Sequence, residues 1–465
     1  MLRQVNLELP DLWLWLRMAV SAGVILASAS LVPRMPGQVL IGLGLVVCVV
    51  MIVRRPIIGL LALIPATLVV PSAIGTGTQT SINAGILVLA LLVFIWITTR
   101  AHGFLGRRSN LVPRSRPVCA LLALAGAAIA AFIVGTQTLY VFARTAPLNS
   151  QLGGLAVFLL ATGAFLLTAT WLRNEQWLRY LTWLFLASGA IYLVGRLAAR
   201  GDAIVQRFAD GSVGSMFWVW VAALAFAQAV VNRKLHPVVR VTLFGIGFAT
   251  LLAGWEARGW TSGWLPPLVA VLTITWLRSW RIGLIITVAG AALVLLRDPG
   301  LIDSLFGLKD YSIFTRNEAR NILLTQVFPI SPIFGLGPAN YYWYTPFFPI
   351  LGYNVQFNSH NNYVDVLMQT GLVGLACFGW FIFEIGRLSW GLRKIAPTGF
   401  QRAYVYGTIG GLAGTLTSAW LGDWLLPFVY NVGLAGFRAS ILAWLFLGGL
   451  VAIDQMNRKV LSVSV

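Results

Sequence analysis

Apolar runs long enough to cross a bilayer, separated by short polar punctuation, dominate the chain. They lie near 12–33, 37–53, 57–71, 86–99, 117–135, 155–171, 181–196, 215–231, 241–255, 264–277, 282–296, 363–385, 405–422 and 438–453. A bilayer core takes roughly 20 apolar residues per helix, so the pattern predicts about 12–14 transmembrane helices. Only one connection between runs is long. Residues 297–362 carry Arg297, Asp298, Asp303, Lys309, Asp310, Arg316, Glu318 and Arg320, which balance to zero, together with many Phe, Tyr, Ile and Leu. Loops beyond about 15 residues are usually functional or disordered, and this apolar composition argues against disorder. The expected fold class is all-α: a polytopic transmembrane helix bundle, 1–465 forming a single transmembrane domain, with one long folded extracytoplasmic loop at 297–362.

Composition agrees. Of the 465 residues 58% are hydrophobic and 10% charged, where soluble chains carry about 25% charged residues. The net charge of +19 would suggest nucleic acid in a soluble protein. Here most Lys and Arg fall on alternate loops, among them 54–56, 100–116, 173–179, 232–240, 278–281 and 386–394. That is the positive-inside pattern, with the N-terminus in the cytoplasm. No basic groove interleaved with aromatic residues accompanies it, so no nucleic-acid partner is expected. Cys48, Cys119 and Cys377 lie in apolar runs without CxxC spacing and read as packing residues. The first run lacks a cleavage signature and reads as a retained helix.

Candidate chemistry gathers at the outer edge. Thr315-Arg316-Asn317-Glu318 reads as a capping box, starting a helix that runs to about Phe328 and is stopped by Pro329 and Pro332. Arg316 and Arg320, four apart, share one face of it. A helix N-terminus with two arginines suits a phosphate; the alternative is a solvated helix with a Glu318–Arg pair. Gly335-Leu336-Gly337-Pro338 predicts a tight turn and offers a hinge for a lid over 301–358. The following Tyr341, Tyr342 and Trp343 could stack on sugar rings or mark the membrane interface. Arg258 sits in a short outer connection, where a charge is either paired, as with Glu256, or functional. Asp423 and Arg438 read as a structural pair.

His360 is one of three histidines, placed where the long loop re-enters an apolar run. Asn361 or Asn362 is expected to cap a helix beginning near Tyr363, and that helix's dipole should keep the imidazole neutral.

Arg258 beside Gly259-Trp260, the helix led by Arg316, the PISPIFGLGPANYY segment (329–342) and His360-Asn361-Asn362-Tyr363 followed by GLVGL together resemble the O-antigen ligase and O-antigen polymerase superfamily. The likeness covers roughly 250–385. It implies an inverting glycosyltransferase that moves a glycan from a polyprenyl-diphosphate-linked oligosaccharide donor to a lipid or glycan acceptor, on the outer face of the bacterial cytoplasmic membrane. By the resemblance, Arg258 and Arg316 contact the diphosphate, with Arg320 as a weaker third contact, and His360 is the essential histidine. Tyr341, Tyr342, Trp343 and Asn361 are possible glycan contacts. A diphosphate leaving group is already activated, so catalysis needs a base and positive charge. No metal-ligand set is visible, and no cofactor is expected. A transporter or flippase for a lipid-linked glycan, with charges lining mid-bilayer helices, and a non-catalytic assembly subunit are the alternative classes.

Overall fold

The computed structural model describes residues 49–71, 73–75, 81–105, 112–137, 139–197, 214–256, 260–297 and 311–463. The runs predicted at 12–33 and over most of 37–53 lie outside the described residues. The chain divides into two units, 1–62 and 63–465. In the first, the described residues 49–62 are helical on either side of Arg55, and α1 (Pro56–Leu68) spans the boundary.

In the second unit the end of α1 is followed by a small antiparallel hairpin, β1 (Ala73–Gly75) and β2 (Ser81–Asn83), with Ile74 opposite Ile82. Helices follow: α2 (Ala84–Leu105), α3 (Arg116–Gly135), α4 (Leu148–Trp171), α5 (Glu175–Leu197), α6 (Ser215–Val231), α7 (Pro237–Glu256), α8 (Thr261–Arg278) and α9 (Trp280–Arg297). After the long loop come α12 (Asn362–Ile395), α13 (Phe400–Leu421) and α14 (Gly433–Val463). Each apolar run predicted from 57–71 onward falls on one of these helices. Among the described residues seven helices, α2, α3, α4, α5, α7, α12 and α14, are long and apolar enough to cross a membrane. This is an all-α, multi-pass membrane fold.

Among the described residues, α6 and α14 are the most deeply buried. Nearly every side chain of α6 from Ser215 to Ala229 is buried, as are Ile441–Phe446 of α14. A helix apolar on every side belongs inside a bundle. The helix α13 packs against α6 and α8, and its glycines allow the approach. A Cβ at Gly410 would lie 2.6 Å from the Ala270 carbonyl, and one at Gly414 2.7 Å from that of Pro266. With no hydrophobic drive between helices in lipid, such small-residue contacts carry much of the association.

The long loop is folded where it is described. The helix α10 (Tyr311–Ile322) continues through a π turn (Leu323–Val327) and a 3-10 turn (Phe328–Ile330), and it ends at Pro329 and Pro332 as expected. Its beginning differs from the expectation. Thr315 lies inside the helix, and its hydroxyl donates to the Ser312 carbonyl, so the capping box does not form. Arg316 therefore stands in the second turn, away from the free N–H groups of a helix start. Farther on, α11 (Tyr341–Tyr344) is a single turn.

The loop is pinned to α12 at Gly371, which has φ +65° and ψ −166° within the helix. That break interrupts the helical ladder, and loop backbone completes it. Leu336 N donates to Met368 O (2.9 Å) and Gly337 N to Gln369 O (3.1 Å); Leu372 N donates to Pro332 O (2.9 Å) and Val373 N to Ile333 O (3.1 Å). Gly335 and Gly337, expected to hinge a lid, are instead packed against backbone. A Cβ at Gly335 would lie 2.5 Å from Gly371 N, and one at Gly337 2.7 Å from Gly135 Cα.

Gly371→Ala should therefore be severe. Backbone of this conformation is open essentially only to glycine and costs another residue about 1–3 kcal/mol, and the new Cβ would strike the Ile333 carbonyl, for a total of about 3 kcal/mol or more. Gly379→Ala, in the same helix with open space around it, should change little. Thermal unfolding in detergent compares the two; equal melting temperatures would refute the pinning.

Candidate functional site

The site is built around a buried carboxylate. Asp365, one turn into α12, is 1% exposed. Its Oδ1 accepts from the Tyr341 hydroxyl (2.6 Å) and the Ser359 hydroxyl (2.7 Å). Ser359 Oγ in turn accepts from Asn361 N (3.0 Å), and Ser359 N donates to the Tyr341 oxygen (3.3 Å). Asn361 caps α12, its Oδ1 accepting from Tyr363 N and Val364 N, while its Nδ2 donates to Trp420 O (3.0 Å). Asn362 ties the helix start to the connection after α13: Leu425 N donates to its Oδ1 (2.8 Å), and its Nδ2 donates to Leu426 O (2.8 Å).

His360 stands inside this frame, between Ser359 and Asn361, with φ +46°. A non-glycine residue held in the left-handed region costs about 1–3 kcal/mol and persists only where its surroundings over-determine it. Here both neighbours are buried and hydrogen-bonded, so the strain falls on the histidine.

The ring is half-buried. Burial, then the charges of Arg316 and Arg320, bring its pKa down to about 4. The imidazole is thus neutral near pH 7, as the sequence suggested, but the cause is burial and two nearby cations. His360 Nδ1 lies 3.2 Å from Asn431 Nδ2, which also bonds Asp423 Oδ1. Asp423, 1% exposed, accepts at Oδ2 from Phe428 N (2.8 Å). Burial raises its carboxyl above the usual range, against the hydrogen bonds it accepts. The Asp423–Arg438 pair expected from the sequence is replaced: Asp423 takes these partners, and Arg438 donates to Val70 O (3.0 Å).

Arg316 and Arg320 are half-buried on α10. Arg320 Nε donates to Arg316 O (3.2 Å), and its guanidinium lies 5.9 Å from the Trp420 ring centroid. Burial and the adjacent Arg316 lower the pKa of Arg320 from its ordinary value. Neither arginine has an acidic partner among the described residues; the expected alternative, a Glu318–Arg pair, does not occur. Both arginines are thus close enough for their charges to act on His360. Arg258 lies outside the described residues.

The aromatic run divides. Tyr341 is fully buried and stacked on Phe428 at 4.6 Å, and burial and Asp365 raise its pKa well above normal. Asn361 is 1% exposed. Both are committed to the interior, which corrects their reading as glycan contacts. Tyr342 stacks on Tyr430 at 4.7 Å, and Trp343 Nε1 donates to the Tyr430 hydroxyl (2.9 Å); both keep some exposure.

Sequence reasoning missed Asp365, Asn431 and Asn340. Asp365 carried a signal, a carboxylate at the start of an apolar run. Asn340 anchors the loop by accepting from Ala146 N (2.8 Å) and donating to Gly135 O (2.9 Å) and Leu336 O (2.8 Å), and nothing in its spacing announces this. No protein-family model matches the chain, and no curated protein matches it by sequence.

Asp365→Ala should strand the buried Tyr341 hydroxyl at a cost of about 1–3 kcal/mol, while the Ser359 hydroxyl can still donate to Asn361 O (2.9 Å). Asp365→Asn, which keeps an acceptor at Oδ1, should cost less. Melting temperatures together with limited proteolysis across 350–361 read the effect; unchanged protection in the alanine variant would refute the central role of this carboxylate.

Proposed function

We propose that the chain is an inverting glycosyltransferase of the ligase or polymerase type. It transfers a glycan from a polyprenyl-diphosphate donor to an acceptor hydroxyl on the extracytoplasmic face of a bacterial cytoplasmic membrane. The observation that carries the reading is the convergence of one strained, neutral histidine with two half-buried arginines lacking acidic partners, at the edge of a membrane-length helix. Clustered cations without counter-charges suit an anion of high charge density, and planar guanidinium groups suit phosphate.

In this reading Arg316 and Arg320, with Arg258 as a further contact, hold the diphosphate. Removal of the acceptor hydroxyl's proton by His360 frees an oxygen lone pair to attack the anomeric carbon. The bond from that carbon to the diphosphate oxygen breaks with inversion, and its electron pair leaves on the diphosphate, where the arginines stabilise it. Tyr342 and Trp343 are the aromatic residues left to meet the glycan. The purified protein in nanodiscs, given a polyprenyl-diphosphate oligosaccharide and a panel of acceptors, tests the activity. Donor binding without transfer to any acceptor would remove the transferase reading.

Two outcomes follow for variants and pH. His360→Ala and His360→Gln should each lower transfer by about 10²–10⁴-fold, and Arg316→Ala should impair donor use with only partial rescue by lysine. Substantial transfer by His360→Gln would make the histidine an orienting group. In the empty site the protonated, inactive form of His360 appears only as pH falls through about 4. A bound diphosphate offsets the arginine charges and favours imidazolium, so the acidic limb of kcat should lie at higher pH than that of kcat/KM. Coincident limbs would argue against diphosphate binding beside His360.

A further inference from the structure

We propose that Asn431 and Asp423 set the ring tautomer of His360, and so decide whether its Nε2 offers a lone pair or a proton. One terminal position of the Asn431 amide faces both His360 Nδ1 and Asp423 Oδ1. A primary amide presents two N–H donors at nitrogen or two lone pairs at oxygen. With nitrogen in that position, Asn431 donates to an ionised Asp423 and to Nδ1, and the imidazole proton sits on Nε2. With the amide reversed, the oxygen accepts from a protonated Asp423 and from Nδ1–H, and Nε2 carries the lone pair. Mixed arrangements set oxygen against carboxylate oxygen or N–H against N–H. The Asp423 proton, the amide orientation and the imidazole tautomer therefore change together.

The surroundings keep both states within reach. Asp423 is buried, and so is Asp365, on whose carboxyl the charge of Asp423 acts directly; burial raises the Asp423 carboxyl. From the other side, Arg316 and Arg320 of α10 act on His360. The consequence for catalysis rests on the transferase reading. A base acting through Nε2 needs the reversed amide and a protonated Asp423, so activity should be lost as pH rises through the Asp423 pKa, giving an alkaline limb.

The test uses nitrogen-15 NMR of histidine-labelled protein in nanodiscs, with His102→Gln and His236→Gln assigning the His360 signals. The wild type at alkaline pH should show the proton on Nε2. In Asp423→Asn, the Phe428 N–H holds the new side chain's oxygen where Oδ2 was, which aims its NH2 at Asn431. The amide should then reverse and the proton move to Nδ1. Asn431→Ala should yield a mixture. An unchanged tautomer in folded Asp423→Asn, or a wild-type tautomer surviving in Asn431→Ala, overturns the proposal. This readout needs no substrate, so failure of glycan transfer would sink the transferase reading while leaving the tautomer result standing.

A separate site lies at the C-terminal end of α12, away from His360. A cavity of about 430 Å³ is lined by Arg114, Arg116, Arg387 and Arg458 against Glu384 and Asp454. Glu384 is shared by Arg387 (3.2 Å) and Arg116 (4.0 Å), and Asp454 pairs with Arg458 (3.0 Å), which leaves an excess of two positive charges. The nearby Trp390 and Ile395 of α12 are exposed apolar residues. We infer that this cavity takes the phosphate of an anionic phospholipid, whose tails would cover that apolar surface. Thermal stability in phosphatidylglycerol against phosphatidylcholine nanodiscs, with inorganic phosphate as a third arm, tests it. The wild type should gain several degrees in phosphatidylglycerol, and the Arg114→Gln/Arg458→Gln double variant should lose that gain. Equal stability in both lipids, or an equal gain from inorganic phosphate alone, overturns the assignment.

Discussion

The break at Gly371 is the constraint on which the candidate site and the loop that carries it depend. A membrane-length helix that opens its ladder in apolar surroundings leaves carbonyl and N–H groups that lipid cannot satisfy. Here the groups around Gly371 are met by backbone of 332–337. The loop and the helix therefore each need the other. That mutual need fixes the depth at which the loop enters the bundle, and Asn340 extends the anchoring to the end of α3 and the start of α4. What looks from the sequence like an insertion between two helices is structurally part of the bundle wall.

With the loop fixed at that depth, Tyr341 reaches Asp365 and the return strand toward α12 is held at Ser359. The positive φ of His360 follows from this. The chain must turn between a residue tied to Asp365 and a residue capping the helix, and one position takes the strain. Buried polar groups that are fully engaged specify a single arrangement, and Ser359, Asn361 and Asn362 are engaged on nearly every polar atom. His360, between them, is the residue whose side chain is left to meet something else.

Local signals explain which parts were legible in the sequence. Helix existence follows from hydrophobic length, so each apolar run within the described residues found its helix, and Asn361 was readable as a cap because its partners are two and three residues away. The long loop's apolar composition announced that it folds. Failures came where an element's true start or a partner elsewhere in the fold decides. Thr315 has the spacing of a capping box, but α10 begins earlier, and its hydroxyl turns to Ser312. Gly335 and Gly337 look like a hinge because glycine is permissive, whereas their role here is close approach to Gly371 and Gly135. Asp423 and Arg438 were paired by charge alone, yet the turn at 428–431 offers Asp423 neutral donors. Tyr341 belongs to an aromatic run that faces two ways, and only the fold divides it.

The electrostatics of the site also follow from position more than from composition. The loop's charges sum to zero along the sequence, but folding does not neutralise them locally. Arg316 and Arg320 end up where their charges act on a neutral histidine, Arg320 over the ring of Trp420, while the buried Asp365 and Asp423 accept from Tyr341, Ser359, Phe428 N and Asn431. Burial favours the protonated form of a carboxyl, raising Asp423 against the hydrogen bonds it accepts, which weakens these buried groups as counter-ions for the arginines. A half-buried pair of like charges without local compensation raises the free energy of the empty site. An anion arriving there recovers that energy and simultaneously removes the field that suppresses protonation of His360. In the proposed transferase reading, binding and basicity are thereby coupled through the same two guanidinium groups, and the substrate that fits the arginines is also the one that prepares the histidine.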